Sequence, residues 1–291
     1  MFLSLFIKGI FIGIGAILPG VSGGALAVIF GIYEKILSSI SNFFENPRKN
    51  FIFLLTVGAG ASLGVVLFSN IQKFLLLHYE TETLLVLTGL LIGTFPSLFK
   101  NANKHGFSKT YIIPFIVTLF ISLAFSFIEA GIVPEADYSQ AGFFPNGYMF
   151  AKLFIIGFVM AGSLVIPGIS GTVLLMLMGV YSFVLNVIGN VKNLLLYFFS
   201  PQIPFSDVVG NLLILVFLGL GVLVGAVIFS KIMSFFMEKY YGFTYYAILG
   251  FVIGSVPELF PGTSFSFFNI YGIFLFFGGL FISLYFNKKF G

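Results

Sequence analysis

The chain has 291 residues, of which 59% are hydrophobic, 19% aromatic and only 8% charged, with a formal net charge of +4 and a mean hydropathy of +1.11. No soluble domain needs that much apolar side chain for one core, so the composition excludes a soluble globular fold and defines an all-α polytopic membrane protein. Cysteine is absent, which removes disulfides, thiolate catalysis and cysteine metal sites, and the basic residues fall in short loops between apolar runs, which excludes a nucleic-acid surface.

The first apolar run covers 2–18 and carries Lys8. It has no basic stretch before it and no A-x-A site, so no cleaved signal is expected. It ends in the loop PGVSGG at 19–24, and the apolar sequence beyond predicts a helix over 24–40 that includes Glu34. Proline lacks a backbone donor and glycine weakens a helix, so the loop breaks the run where an unpaired amide is most costly. Such a break is tolerated in a bilayer only where the freed groups meet protein, ligand or water. Helices follow over 51–77, 83–99 and 111–130, and then an acidic linker at 131–146 with Glu135 and Asp137. A second set opens at 147–166 with Lys152 and breaks at PGISGT, 167–172. It continues over 170–190, 208–237, 243–260 with Glu258 near its end, and 269–287. Tyr79, Tyr240 and Tyr241, near the ends of these stretches, read as interfacial anchors.

The two sets are copies of one plan. Adding 148 maps Pro19, Gly20, Ser22, Gly23, Gly31 and Tyr33 onto Pro167, Gly168, Ser170, Gly171, Gly179 and Tyr181. Adding 161 maps Gly58, Gly60, Gly64, Gly89, Gly93 and Pro96 onto Gly219, Gly221, Gly225, Gly250, Gly254 and Pro257. The 13-residue difference is an insertion within 194–207. The expected domains are therefore a first membrane repeat at 1–130, the extracytoplasmic linker at 131–146 and a second repeat at 147–291. Each half holds five apolar segments, of which the first pair, broken at the PGxSG loop, either spans or turns back as a re-entrant hairpin. Both counts of crossings are odd, so the second half enters from the opposite side. That is an inverted-topology repeat, the plan of transporters whose sites lie midway across the membrane at broken helices. Cytoplasmic termini put 11 of the 14 basic residues inside and leave Lys73, Lys152 and Lys192 outside with the acidic linker, as the positive-inside rule favours.

The paired loops are the candidate site. Their small residues leave amides facing one concavity, and the hydroxyls of Ser22, Ser170 and Thr172 add donors. With Gly20, Gly23, Gly24, Gly168 and Gly171 they suit a phosphate or carboxylate, helped by the positive end of a helix beginning just after each loop. A structural kink without a ligand is the alternative. Lys8 and Lys152 stand upstream of the loops and either snorkel to an interface or attract a phosphate. Glu34 and Glu258 either exchange protons during a transport cycle or sit among head groups. Glycines four apart, such as Gly89 with Gly93, read as close helix packing. Residues 20–24 also fit G-x-S-x-G, the nucleophile elbow, but that chemistry needs a base beside the serine. His78 and His105 are expected on opposite sides of the membrane, which leaves only a Ser/Lys dyad using Lys8 or Lys152. No H-E-x-x-H or Walker A sequence occurs, and no metal, cofactor or catalytic residue is expected.

The pattern K-G-x3-G-x5-PGVSGG-x6-GIYE, running from Lys8 through Glu34, together with the second PGISG, resembles the polyprenyl-phosphate transporter family, formerly a membrane family of unknown function. The likeness covers essentially the whole chain. It implies that undecaprenyl phosphate, the lipid carrier of cell-wall glycans, is the partner, returned from the outer to the inner leaflet of a bacterial plasma membrane. Protons or the membrane potential would supply coupling energy. The second motif departs from the first, with Thr172 for Gly24 and Ser182 for Glu34, so the halves contribute unequally. Two rival readings are a secondary transporter of a small soluble anion, which needs an aqueous vestibule rather than a Phe-lined lateral opening, and an intramembrane serine hydrolase. The pattern sets no oligomeric state.

Overall fold

A computed structural model describes residues 2–17, 22–129, 147–169, 205–259 and 270–290, with positions 171, 174–175, 178–180 and 183–184. The described residues are helices and short turns, with no strand among them. Before the linker come α1 (Phe2–Ile17), α2 (Gly23–Ile29), α3 (Tyr33–Ser41), α4 (Pro47–His78), α5 (Glu80–Ala102) and α6 (Ile112–Glu129); after it come α7 (Gly147–Val165), α8 (Phe205–Lys239), α9 (Tyr241–Gly254) and α10 (Ile270–Phe290). Four of these, α4, α5, α7 and α8, contain stretches long and apolar enough to cross a membrane, and α1, α6, α9 and α10 are shorter apolar helices. The chain is a multi-pass membrane protein.

The second helix doubles back along the first. Gly23, at the start of α2, packs on Ala16 near the end of α1, while Lys8, near the start of α1, donates to the Phe30 carbonyl beyond the end of α2 at 2.7 Å. The helix expected over 24–40 is in fact two helices, α2 and α3, meeting at 112°. Gly31 causes the break. It adopts φ +65°, its amide bonds the Val28 carbonyl at 3.0 Å, and the Ile32 amide bonds the Ala27 carbonyl at 3.0 Å. This is a Schellman ending, which needs a residue in the left-handed region. The second half repeats it: Gly179 has φ +64° and the Val180 amide bonds the Leu175 carbonyl at 2.9 Å. Another expected helix, 243–260, stops at Gly254 and passes into a short 3-10 turn, Val256–Leu259, that contains Pro257. Proline disfavours helical backbone in the residue before it, although the matching Pro96 is carried inside α5.

Four long helix pairs build the bundle. Within each half α1 packs on α4 and α7 on α8; between the halves α5 packs on α10 and α6 on α9. Glycine makes every one of these approaches possible. A Cβ on Gly60 would meet the Phe6 carbonyl, one on Gly221 the Phe154 carbonyl, one on Gly89 the Phe276 carbonyl and one on Gly250 the Phe115 carbonyl. The four-residue glycine spacing is thus a packing device. Three bonds tie the crossed pairs: Thr118 Oγ1 donates to the Ala247 carbonyl at 2.8 Å, Ser122 Oγ to the Phe251 carbonyl at 3.1 Å and Asn287 Nδ2 to the Gly93 carbonyl at 2.7 Å. The core lies where α2, α3, α5 and α9 converge, around Val28, Leu37, Leu91, Leu98, Ile248 and Leu249. Only 22% of the apolar stretch of α4 and of α8 is buried, against 56% for α5. Helices α4 and α8 therefore present their side chains to lipid, and α5 is the central post.

Candidate site at the paired PG turns

The end of the first PG motif meets the second in the interior. A Cβ on Gly24 would stand 3.3 Å from Cα of Pro167 and 3.4 Å from its Cγ, so the first motif touches the second across the boundary between the halves. Ser22 is half-buried and precedes α2 in extended backbone, with φ −90° and ψ 130°. Its carbonyl accepts the Leu26 amide at 3.1 Å. Its hydroxyl makes no capping bond, and a Cβ on Gly24 would lie 3.4 Å from that oxygen. The amides that precede the one at Leu26 have no partner within the helix. Because α2 has only seven residues, these separate amides, rather than a long aligned dipole, are what it presents.

On the other side, α7 ends at Val165 and the chain turns through Ile166, Pro167 and Gly168. Gly168 has φ +84°, and a Cβ there would lie 2.7 Å from Cβ of Phe251 and 2.9 Å from the Val252 amide. Glycine is required twice over, for the left-handed backbone and for the close approach of α9. Gly171 lies against Ser163, whose hydroxyl donates to the Met160 carbonyl at 2.7 Å. Gly20, Ser170 and Thr172, and the side chain of Glu258, lie outside the described residues.

A tyrosine of the GIYE motif, given no role in the sequence, joins the two motif regions. Buried Tyr33, first residue of α3, donates to the Val165 carbonyl at 2.8 Å. That carbonyl belongs to the last turn of α7, where no helical partner is available. The repeat pairs Tyr33 with Tyr181, which lies outside the described residues.

The candidate charges stand elsewhere. Lys8 is 11 residues before Pro19, about 16 Å at 1.5 Å per residue, and its ammonium is held by the Phe30 carbonyl. Lys152 is half-buried in α7, about 20 Å of helix before Val165. Glu34 is exposed in the first turn of α3 and accepts a bond from the Tyr245 hydroxyl at 3.4 Å. It borders a cavity of about 140 Å³ together with Asn101, Lys104, Tyr241 and Tyr245. Lys104 lies over the Tyr241 ring at 5.8 Å, and the edge of the same ring meets His105 at 4.6 Å. Under the repeat offsets, the counterparts of Glu34, Tyr241 and Tyr245 are Ser182, Glu80 and Leu84, so this polar set, drawn from both halves of the sequence, does not recur at the repeat-related positions.

His78 and His105 flank α5 at its two ends, about 35 Å apart along the helix, with His78 stacked on Phe74. Among the described residues no group of His, Asp or Glu could hold a metal. The arrangement is that of an all-helical, multi-pass membrane protein in which Gly24, at the end of the first motif, packs on Pro167 of the second.

The chain belongs to the family described as undecaprenyl phosphate translocase-like, whose family model matches residues 12–270. It is 30% identical to a polyprenyl-phosphate transporter of Staphylococcus aureus over 258 residues, which is 88% of this chain and 85% of that one. It is 24% identical to a polyprenyl-phosphate transporter of Vibrio cholerae over 277 residues, 89% of this chain and 78% of that one. No solved structure matches it.

Proposed function

We propose that this chain returns undecaprenyl phosphate from the outer to the inner leaflet of a bacterial plasma membrane, as a transporter rather than an enzyme. Its phosphate is held between Gly20, Ser22, Gly23 and Gly24 of the first motif and Gly168, Ser170, Gly171 and Thr172 of the second. The observation that carries this reading is the contact of Gly24, at the end of the first motif, with Pro167, at the start of the second. Family membership supports the substrate class.

A lipid phosphate has a charged head that must cross about 30 Å of hydrocarbon and a tail that stays in lipid throughout. Polar groups midway, reached sideways from the bilayer, meet both demands. In this reading α1 and α2 are a re-entrant hairpin entered from the cytoplasm, and α7 with the segment after it is the counterpart entered from outside. Repeats 1–130 and 147–291 are inverted about the linker at 131–146, with both termini cytoplasmic. The matched helix pairs and the matched Schellman endings support the duplication. Lys8 and Lys152 draw the anion toward the membrane, and Glu34 and Glu258 exchange the protons that couple transport.

The test is leaflet-resolved uptake by the purified protein in vesicles, comparing polyprenyl phosphate with a water-soluble phosphate. The lipid should move and the soluble phosphate should not; equal movement of both would favour a soluble-anion carrier. Ser22→Ala and Ser170→Ala should each weaken phosphate binding by about 1.5–3 kcal/mol, the worth of a charge-assisted hydrogen bond. Unchanged uptake by the double variant at normal expression would remove the hydroxyls from the mechanism.

A further inference from the structure

The cavity beside α3 is unusual for this chain. Where only 8% of residues are charged, it gathers a carboxylate, an ammonium, a side-chain amide and three phenols around about 140 Å³. That is roughly ten times the ~10–15 Å³ a single water needs, which is room for a tetrahedral oxyanion. Lys104 and Glu34 are exposed at its mouth and Tyr245 is buried in its wall. The Lys104 ammonium rests over the Tyr241 ring, a contact that leaves its N–H donors available to an anion. The wall is also coupled to the PG turns. Tyr33 borders the cavity while its hydroxyl holds the Val165 carbonyl, two residues before Pro167.

We propose that this cavity is a second oxyanion subsite, which takes a phosphate monoester on Lys104 with Asn101 as a neutral donor, and that the Glu34 carboxylate, held by Tyr245, is its built-in competitor. The basic loop that carries Lys104 places the subsite at the cytoplasmic mouth, so the proposal rests on the topology given above. A head group arriving from the PG turns trades their amides for the ammonium, and the carboxylate alongside keeps it from staying. Like charges sharing so small a space repel strongly even when partly solvated. The shared chemistry is a phosphate oxyanion; its source is either the lipid or free phosphate.

Equilibrium binding and dissociation of radiolabelled polyprenyl phosphate and of inorganic phosphate, measured on the full-length protein in detergent, test the proposal. Glu34→Gln should tighten binding about tenfold and slow dissociation to match, while Lys104→Gln should weaken it about tenfold. Both residues are exposed, and an unchanged thermal transition verifies that each variant is folded. A response with the lipid alone identifies the head group as the occupant, and a response with inorganic phosphate alone identifies the free ion. Affinities and off-rates of both variants within twofold of the parent, for both probes, overturn the subsite. If Ser22→Ala with Ser170→Ala abolishes lipid binding in that same case, the transport reading survives without it. Failure of the parent protein to bind the lipid, with a Glu34-sensitive response to inorganic phosphate, overturns the transport reading and leaves the subsite standing.

Discussion

Tyr33 shows how much one side chain settles in this chain. Its hydroxyl serves a carbonyl at the end of α7 while its ring is buried in the core at the start of α3. Tyr33→Phe keeps the ring and leaves that carbonyl, on buried Val165, without its partner. Stability should fall by about 1–3 kcal/mol, read as a lower thermal unfolding temperature in detergent; an unchanged temperature would mean the bond is not made. The PG motifs and the Tyr33–Tyr181 pairing were legible in the sequence because identical residues recur at a fixed offset. The partners were not. Tyr33 and Val165 are 132 residues apart, and Lys8 finds the Phe30 carbonyl only because α2 folds back along α1. A residue type announces which bonds it can make, while the fold decides with whom.

Among the elements, long apolar runs were readable and their interruptions less so. Helices α4 to α7 and α8 fall close to the expected ranges because ~20 apolar residues leave few other choices. The run over 24–40 reads as one helix since Gly31 is a single residue in an apolar stretch, and only the Schellman bonds reveal that the chain turns there. Helix contacts were half legible. Spaced glycines marked the packing faces but not which helix lies against each. Gly89 and Gly58 make the contrast testable. The first is pressed on the Phe276 carbonyl of α10, and nothing lies within 4 Å of a Cβ on the second. Gly89→Leu should drive α5 from α10 and abolish a monodisperse elution profile, whereas Gly58→Ala should unfold at or above the parent temperature, as the better helix former. Equal loss in both would mean that close approach is not what these glycines provide.

For the whole molecule, the exchange of partners between halves matters most. Helix α5 of the first half packs on α10 of the second, and α9 of the second on α6 of the first, so neither half completes its own packing. Halves cut within 131–146 should fail to purify singly and should co-purify through a tag on either one when co-expressed; a half that is stable alone would contradict the exchange. The recurrence of motifs was visible in the offsets of 148 and 161. The exchange was not, because equal spacing is kept whether a helix packs on its own copy's neighbour or on the other's. Finally, Glu34, Tyr241 and Tyr245 correspond in sequence to Ser182, Glu80 and Leu84, so the repeat-related positions differ in chemistry. Detailed balance limits what such lopsidedness does: unequal dwell times at the two ends alter how fast cargo is shuttled but not where it settles, because only a difference in free energy between the two sides shifts a population. Net recycling would therefore follow the demand for carrier on the receiving side, or an ion gradient, with the uneven ends governing only its pace.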